Sequence, residues 1–509
     1  MQPLPDRQLR WVLAAAILAS SMAFIDSSAL NVALPALQAS LGASGAQLLW
    51  VVNAYLLMLA ALILFGGALG DALGRKRVFM AGIGLFLLAS LACGLAPSIA
   101  VLIGARLLQG LGGALMIPGS LALISASYPA ERRGRAIGAW SSATTLVTIA
   151  GPILGGLLAQ AGLWRGVFLI NLPIGLAALA VLARFVPEGR SAAAGPIDYP
   201  GAALASLGLA GLTYGSIAAP DRGFTDALVL GTLLGGLAAL AAFVAIEARS
   251  PHPMMPLHLF QSRTFSGTNL LTLFLYGALT VATFFLSLNL VNAQGYSQSL
   301  AGLAFTPFAL TLALLARRAG ALADRYGARG PLIAGPALVG LSFAAFALVG
   351  LTRGPSQYWS TFLPCVLLLG LGMAITVAPL TAAVMGAVSG RAAGTASGIN
   401  NAISRVAGVL ALAVVGALAL SLYSGALARH AAALPLSPEL RATLQRGAQL
   451  GAQALPATLA PAEAEAARQA VRLAFVDTFR TVMLVCAALA WLGAAMAAAF
   501  VRGRAAAVE

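Results

Sequence analysis

Long apolar runs separated by short polar stretches dominate the chain. A helix that crosses a bilayer needs about 20 apolar residues. About fourteen runs reach that length: 11–34, 48–70, 77–96, 99–126, 136–161, 165–186, 199–218, 226–247, 266–291, 300–319, 331–351, 358–386, 394–424 and 474–501. The first run follows Arg7 and Arg10 but is too long for a signal peptide, holds Asp26 and lacks a small-residue cleavage site. It is expected to stay as a helix. The pattern predicts an all-α polytopic membrane protein. One long polar segment, about 427–473, interrupts it near the end, with "SPELRATLQRGAQL" reading as a surface helix capped by Ser437 and led by Pro438.

The short loops set an orientation. With the N-terminus cytoplasmic, the inner loops carry Arg75, Lys76, Arg77, Arg132, Arg133, Arg135, Arg184, Arg190, Arg249, Arg263, Arg317, Arg318, Arg325, Arg329 and Arg391. The short outer loops carry only Arg165, Arg222 and Arg353. Basic residues favour the cytoplasmic side, so both termini are expected there. Only Lys76 among thirty basic residues is a lysine, and Ala and Gly abound, so a GC-rich bacterial genome and a bacterial cytoplasmic (inner) membrane are expected.

The inner loops also hold a repeat. "GALGDALGRKR" begins at Gly67 and "GALADRYGARG" at Gly320, aligning Asp71, Gly74 and Lys76 with Asp324, Gly327 and Arg329. The copies end the second and the tenth predicted helices. An even offset preserves orientation, so the halves are parallel repeats. Two six-helix halves would give an offset of six; the offset of eight adds two helices between them, roughly 199–247. The expected organisation is 1–190, 191–250 and 251–509: an N-terminal bundle, two additional helices and a C-terminal bundle.

Composition narrows the function classes. Of 509 residues, 60% are hydrophobic and 9% charged, with mean hydropathy +0.92; a soluble domain carries about 25% charged residues. The net charge of +15 is scattered over loops and forms no basic face, which excludes nucleic acid as a partner. Cys93, Cys365 and Cys486 sit in apolar runs without disulfide or metal spacing. His252, His258 and His430 show no metal spacing, and there is no phosphate-binding glycine loop. No enzyme, cofactor or metal is expected.

Several segments resemble the major facilitator superfamily, and more narrowly its fourteen-helix drug:proton antiporter branch. "GALGDALGRKR" matches the family's cytoplasmic-loop signature, although Ala72 stands where Arg is usual. "IDSSALNVALP" (25–35), "WVVNAYLL" from Trp50, "RLLQGLGGA" from Arg106, "AGPILGG" (150–156) and "WRGVFLINLPIG" from Trp164 are similar to further motifs, in the right order on the right helices. The resemblance implies a monomeric, proton-coupled efflux transporter for lipophilic small molecules, with protons and the bilayer as its other partners. A specific metabolite or lipid exporter, a proton symporter and a non-transporting receptor or scaffold are the alternatives.

The residues themselves suggest roles. Ionising a carboxylate in hydrocarbon is costly, so a deep acid is suited to carrying a proton. Asp26 is such an acid. It and Arg106 lie roughly 12 and 10 Å from the outer ends of their helices, so they either form a proton site or a static ion pair. Asn31, Asn53, Tyr55, Gln109 and Arg405 are candidates for the substrate cavity, each with a plain packing role as the alternative. The resemblance makes Gly67, Asp71, Gly74, Arg75, Lys76, Asp324, Gly327 and Arg329 a cytoplasmic gate. Asp71 would meet the thirteenth helix near Gly394 and Asp324 the fifth near Gly138, with Glu131 a second partner for Arg75 and Lys76. The resemblance likewise makes Gly151, Pro152, Gly155 and Gly156 the antiporter kink of the fifth helix, with a plain packing kink as the alternative. Because deep acids are sparse, neutral, zwitterionic or monocationic cargo is expected.

Overall fold

A computed structural model describes residues 5–43, 45–187, 198–223, 226–251, 253, 255–388, 393–446 and 460–502. Among the described residues there is no β-strand, and fourteen helices are long and apolar enough to cross a membrane. They are α1 (Asp6–Leu41), α2 (Gly45–Leu73), α3 (Arg75–Gly94), α4 (Ile99–Ser127), α5 (Ala130–Gln160), α6 (Asn171–Phe185), α7 (Tyr199–Arg222), α8 (Ala227–Glu247), α9 (Arg263–Asn292), α10 (Thr306–Tyr326), α11 (Arg329–Leu348), α12 (Phe362–Gly386), α13 (Ala393–Ala433) and α14 (Pro461–Phe500). Large apolar side chains remain exposed along many of them, including Leu88, Ile153, Leu176, Leu234, Leu314 and Leu348. A belt of that extent is what a bilayer covers.

α1 to α6 build one bundle and α9 to α14 the other. The first is held by apolar cores around Phe79, Phe86 and Leu182 and around Leu37, Trp164 and Phe168. The second has one large core around Phe265, Phe285, Phe343 and Phe479. α7 and α8 form the added pair and pack on each other. α7 leans on α2, with Tyr214 against Trp50 at a centroid distance of 5.9 Å, and it also touches α13. The boundary expected at 190 lies outside the described residues.

The bundles meet along two seams, α2 against α13 and α5 against α10. The second is close because glycines line it. A Cβ on Gly320 would lie 2.1 Å from the Gly134 carbonyl oxygen, and one on Gly138 would lie 2.6 Å from that of Ala316. Only hydrogen fits at either place.

Two expectations change. α13 and α14 span 41 and 40 residues, well beyond a bilayer's thickness. With the short helix expected at Ser437, which runs Pro438–Arg446, they build a satellite core around Tyr423, Leu427, Leu440 and Phe475. The surface helices expected in this external segment are largely continuations of α13 and α14 themselves. Arg317 and Arg318 belong to no loop. They lie inside α10, exposed on its surface. Long arginine stems reach polar surroundings from within a helix, so their charge mimicked a loop signal in the sequence.

Candidate functional site

Each repeat folds as a helix, a glycine and a helix. α2 stops at Leu73, Gly74 takes φ +106°, and α3 starts at Arg75. α10 stops at Tyr326, and Gly327 takes φ +87° just before α11. Side chains with a Cβ rarely adopt such φ values, which explains why both copies keep this glycine.

The turn aims the acid outward, at the other bundle. Asp71 Oδ2 accepts a hydrogen bond from the Thr395 backbone N–H at 2.6 Å, in the first turn of α13. Its Oδ1 takes Arg75 Nε at 3.0 Å and the Arg75 guanidinium NH2 at 2.9 Å. Asp324 accepts from the backbone N–H groups of Gly134 and Arg135, both at 2.8 Å, near the start of α5. The first N–H groups of a helix have no intrahelical partner, and the dipole there favours a negative charge. Thr395 is the third residue of α13, so Asp71 takes one of these unpaired groups; Gly134 and Arg135 are the fifth and sixth residues of α5, so Asp324 grips that helix just past its first turn. Asp324 meets α5 one turn before the expected Gly138, which instead abuts α10.

Lys76 pairs with neither Asp71 nor Glu131 as its main contact. Its Nζ donates to the Val186 carbonyl at 2.7 Å, just past the end of α6. Arg329 does the same in the second bundle, donating to the Ala498 carbonyl at 3.0 Å near the end of α14. A helix C-terminus carries partial negative charge and unpaired carbonyls, so a basic group is the natural partner. On α2, Gly66 is the glycine that abuts α4, where a Cβ would lie 2.2 Å from the Ala114 carbonyl oxygen; Gly67 is buried beside it.

A second constellation lies inside the first bundle. Asp26 of α1 and Arg106 of α4 form a direct ion pair, 0% and 1% exposed. The Asp26 Oδ1 accepts from Gln109 Nε2 at 2.9 Å, and Arg106 Nε donates to the Val51 carbonyl at 2.9 Å. Gln109 reaches Ser90 of α3 at 2.9 Å, which also receives Asn171 Nδ2 of α6 at 3.2 Å. The Tyr55 ring of α2 lies 4.6 Å below the Arg106 guanidinium. A buried ion pair is tolerated only when further hydrogen bonds satisfy both groups, and five helices supply them here. The structure thus brings Asp26, Arg106, Gln109 and Tyr55 together. Ser90 and Asn171 were missed from sequence, where each is a lone polar residue in an apolar run.

The glycines of α5 lie directly beside this pair. A Cβ on Gly151 would lie 1.8 Å from Ser28 Oγ, and one on Gly155 would lie 2.3 Å from the Ala29 carbonyl oxygen. Both contacts fall on α1, within one turn of Asp26. Gly156 is half-buried nearby. The side chains of Pro152 and Asn31 lie outside the described residues. Asn53 is half-buried on α2, and Arg405 is half-buried on α13. Asn401, expected as an Arg405 partner, instead donates to its own helix at the Ser397 carbonyl, 2.9 Å away.

Residues 16–412 match the family model described as Major Facilitator Superfamily. The chain is 37% identical over 365 residues to the multidrug resistance protein Stp of Mycobacterium tuberculosis, a match covering 71% of this chain and 66%, just under two thirds, of Stp. It is 33% identical over 482 residues to the tetracenomycin C resistance and export protein of Streptomyces glaucescens, covering 94% of this chain and 88% of that protein. Among solved structures, the proton:xylose symporter XylE superposes with a TM-score of 0.61 at 13% identity, over 98% of this chain and 97% of XylE. That likeness concerns the fold.

Proposed function

The chain belongs to the major facilitator superfamily, and from that premise we propose that it exports lipophilic small molecules across a bacterial cytoplasmic membrane in exchange for protons. Relatives named for multidrug resistance and for antibiotic export support the export reading. The arrangement around Asp26 supports the exchange.

In this reading the basic end of the bundles is cytoplasmic, in keeping with the bias of Lys and Arg. The Asp71 and Asp324 contacts hold the two bundles together at that end, so the conformation described here is the one open to the outside. Releasing both contacts lets the bundles rock and exposes the path to the cytoplasm.

Asp26 is the proton carrier. While ionised it is matched by Arg106 and Gln109. A proton arriving from outside cancels its charge and leaves Arg106 with the Val51 carbonyl, the Tyr55 ring and the Gln109 amide. α1 then loses its strongest tie to α4. α1 touches Gly151 and Gly155 of α5, and the start of the same helix is held by Asp324. One 31-residue helix therefore joins the proton site to the gate. Proton and cargo exclude one another by favouring different conformations, so they need not share an atom.

The observation that carries this proposal is the buried Asp26–Arg106 pair, one turn from the α5 glycines. Its test is N-phenyl-1-naphthylamine transport in everted vesicles energised by respiration. Adding the dye should dissipate the acid interior through the parent protein and leave it intact with Asp26→Asn, which keeps the shape and cannot ionise. Equal dissipation by the two would refute the proton role of Asp26.

A further inference from the structure

Arg405 takes no part in the arrangement above. It lies twelve residues into α13, about 18 Å from the gate end at 1.5 Å per residue. It is half-buried, and among the described residues it has neither a hydrogen bond nor a carboxylate partner. A guanidinium has five N–H donors. In a membrane interior, such a group persists only beside water or a ligand that supplies acceptors.

Its position tells which space it faces. Thr395 is fixed to Asp71 of α2, and Gly398, one turn on, lies against Leu64 of α2. Seven residues beyond Gly398 is nearly two turns, so Arg405 returns to the same stripe of α13. It therefore looks towards α2, nearly two turns beyond the Gly398–Leu64 contact. On α2, Tyr55 is taken up by Arg106, whose guanidinium lies 4.6 Å from its ring. Asp26 and Arg106 cancel within their own pair. Among the described residues of the two bundles' membrane-spanning interior, Arg405 is left with an unmatched positive charge.

On the exporter reading given above, we propose that Arg405 is the recognition group for an anionic substituent on the cargo, a carboxylate or sulfonate carried by an otherwise apolar molecule. Arginine suits this because its planar fork meets two oxygens at once. Asp26 keeps its charge matched by Arg106, so it does not present a bare carboxylate to a bound anion. Sparse acids alone suggested neutral or cationic cargo; the unmatched arginine reverses that sign.

The test compares two dyes that share an anilinonaphthalene ring system. 1-Anilinonaphthalene-8-sulfonate carries a sulfonate and N-phenyl-1-naphthylamine does not. Full-length protein in lipid nanodiscs is titrated with each by fluorescence, against empty discs. The parent should bind the sulfonate at least about tenfold more tightly than the neutral dye, in line with one desolvated charge-assisted pair. Arg405→Gln should lose that preference while keeping neutral-dye binding within about twofold, and Arg405→Lys should fall between. Unchanged binding of the neutral dye also reports an intact fold. A parent without preference, or an equal loss for both dyes in Arg405→Gln, overturns the proposal. The vesicle assay reports separately on proton-driven export: sulfonate preference without proton-linked transport would leave the anion site standing and remove the exchange mechanism.

Discussion

Neutralising the two gate acids together should move the protein out of the conformation described here. Among the described residues, Asp71 and Asp324 accept backbone hydrogen bonds between the bundles, one from Thr395 and two from Gly134 and Arg135. A hydrogen bond to a charged group contributes about 1.5–3 kcal/mol, against about 0.5–1.5 for a neutral one. Asparagine keeps the shape but only one acceptor oxygen. At Asp71 the bond to Thr395 is weakened by about 1–1.5 kcal/mol. Asp324 uses one oxygen for each N–H, so one of its bonds is weakened by about 1–1.5 kcal/mol and the other, about 1.5–3 kcal/mol, is lost. The loss is about 3.5–6 kcal/mol for the pair of substitutions, since the two contacts lie on separate seams and add. At 1.4 kcal/mol per tenfold, the closed-to-open ratio at this end falls by about two and a half to four orders of magnitude. Asp71→Asn alone, with one such bond among the described residues, should shift it about tenfold or less. The Arg75–Asp71 pair lies within one bundle and drops out of this difference. The assay is double electron–electron resonance with spin labels at Leu73 and Tyr326, which are 50% and 66% exposed and sit on opposite bundles. Asp71→Asn/Asp324→Asn should add a longer-distance population that the parent lacks. Identical distance distributions would show that these acids do not hold the gate.

Two further outcomes follow from the packing. Gly151→Ala should depress proton-linked transport in the vesicle assay, because its methyl group would meet Ser28 Oγ, and adding Ser28→Ala should restore part of it; no rescue would mean the glycine acts elsewhere. Cys93, Cys365 and Cys486 are 0%, 6% and 0% exposed, so a maleimide should label none of them until the protein is denatured, and rapid labelling of any one in the folded protein would contradict the core packing.

Much of this architecture was legible because the signals are local. Hydropathy marks each span by length alone, and a repeated glycine marks a backbone angle that other residues avoid. Asp26 and Arg106 were readable as partners because their depths along two helices agree. What escaped the sequence depends on rotation and on distant carbonyls. The contact between Lys76 and Val186 joins residues 110 apart, and that between Arg329 and Ala498 joins residues 169 apart. A backbone acceptor leaves no trace in residue identity. Whether Gly66 or Gly67 faces α4 turns on 100° of helix phase, which a run of apolar residues does not fix. Arg317 and Arg318 misled for the opposite reason: the charges were visible, but the stems that carry them to the surface of α10 were not.

The lean of α7 on α2 makes the two seams mechanically unequal. Among the described residues the added pair does not pack on α5 or α10, but along α2 and α13 a passenger hairpin straddles the join. Any rocking at that second join must carry the hairpin along with α2 or slide it across α13. The stroke of this machine is therefore lopsided, with a weighted flank and a free one.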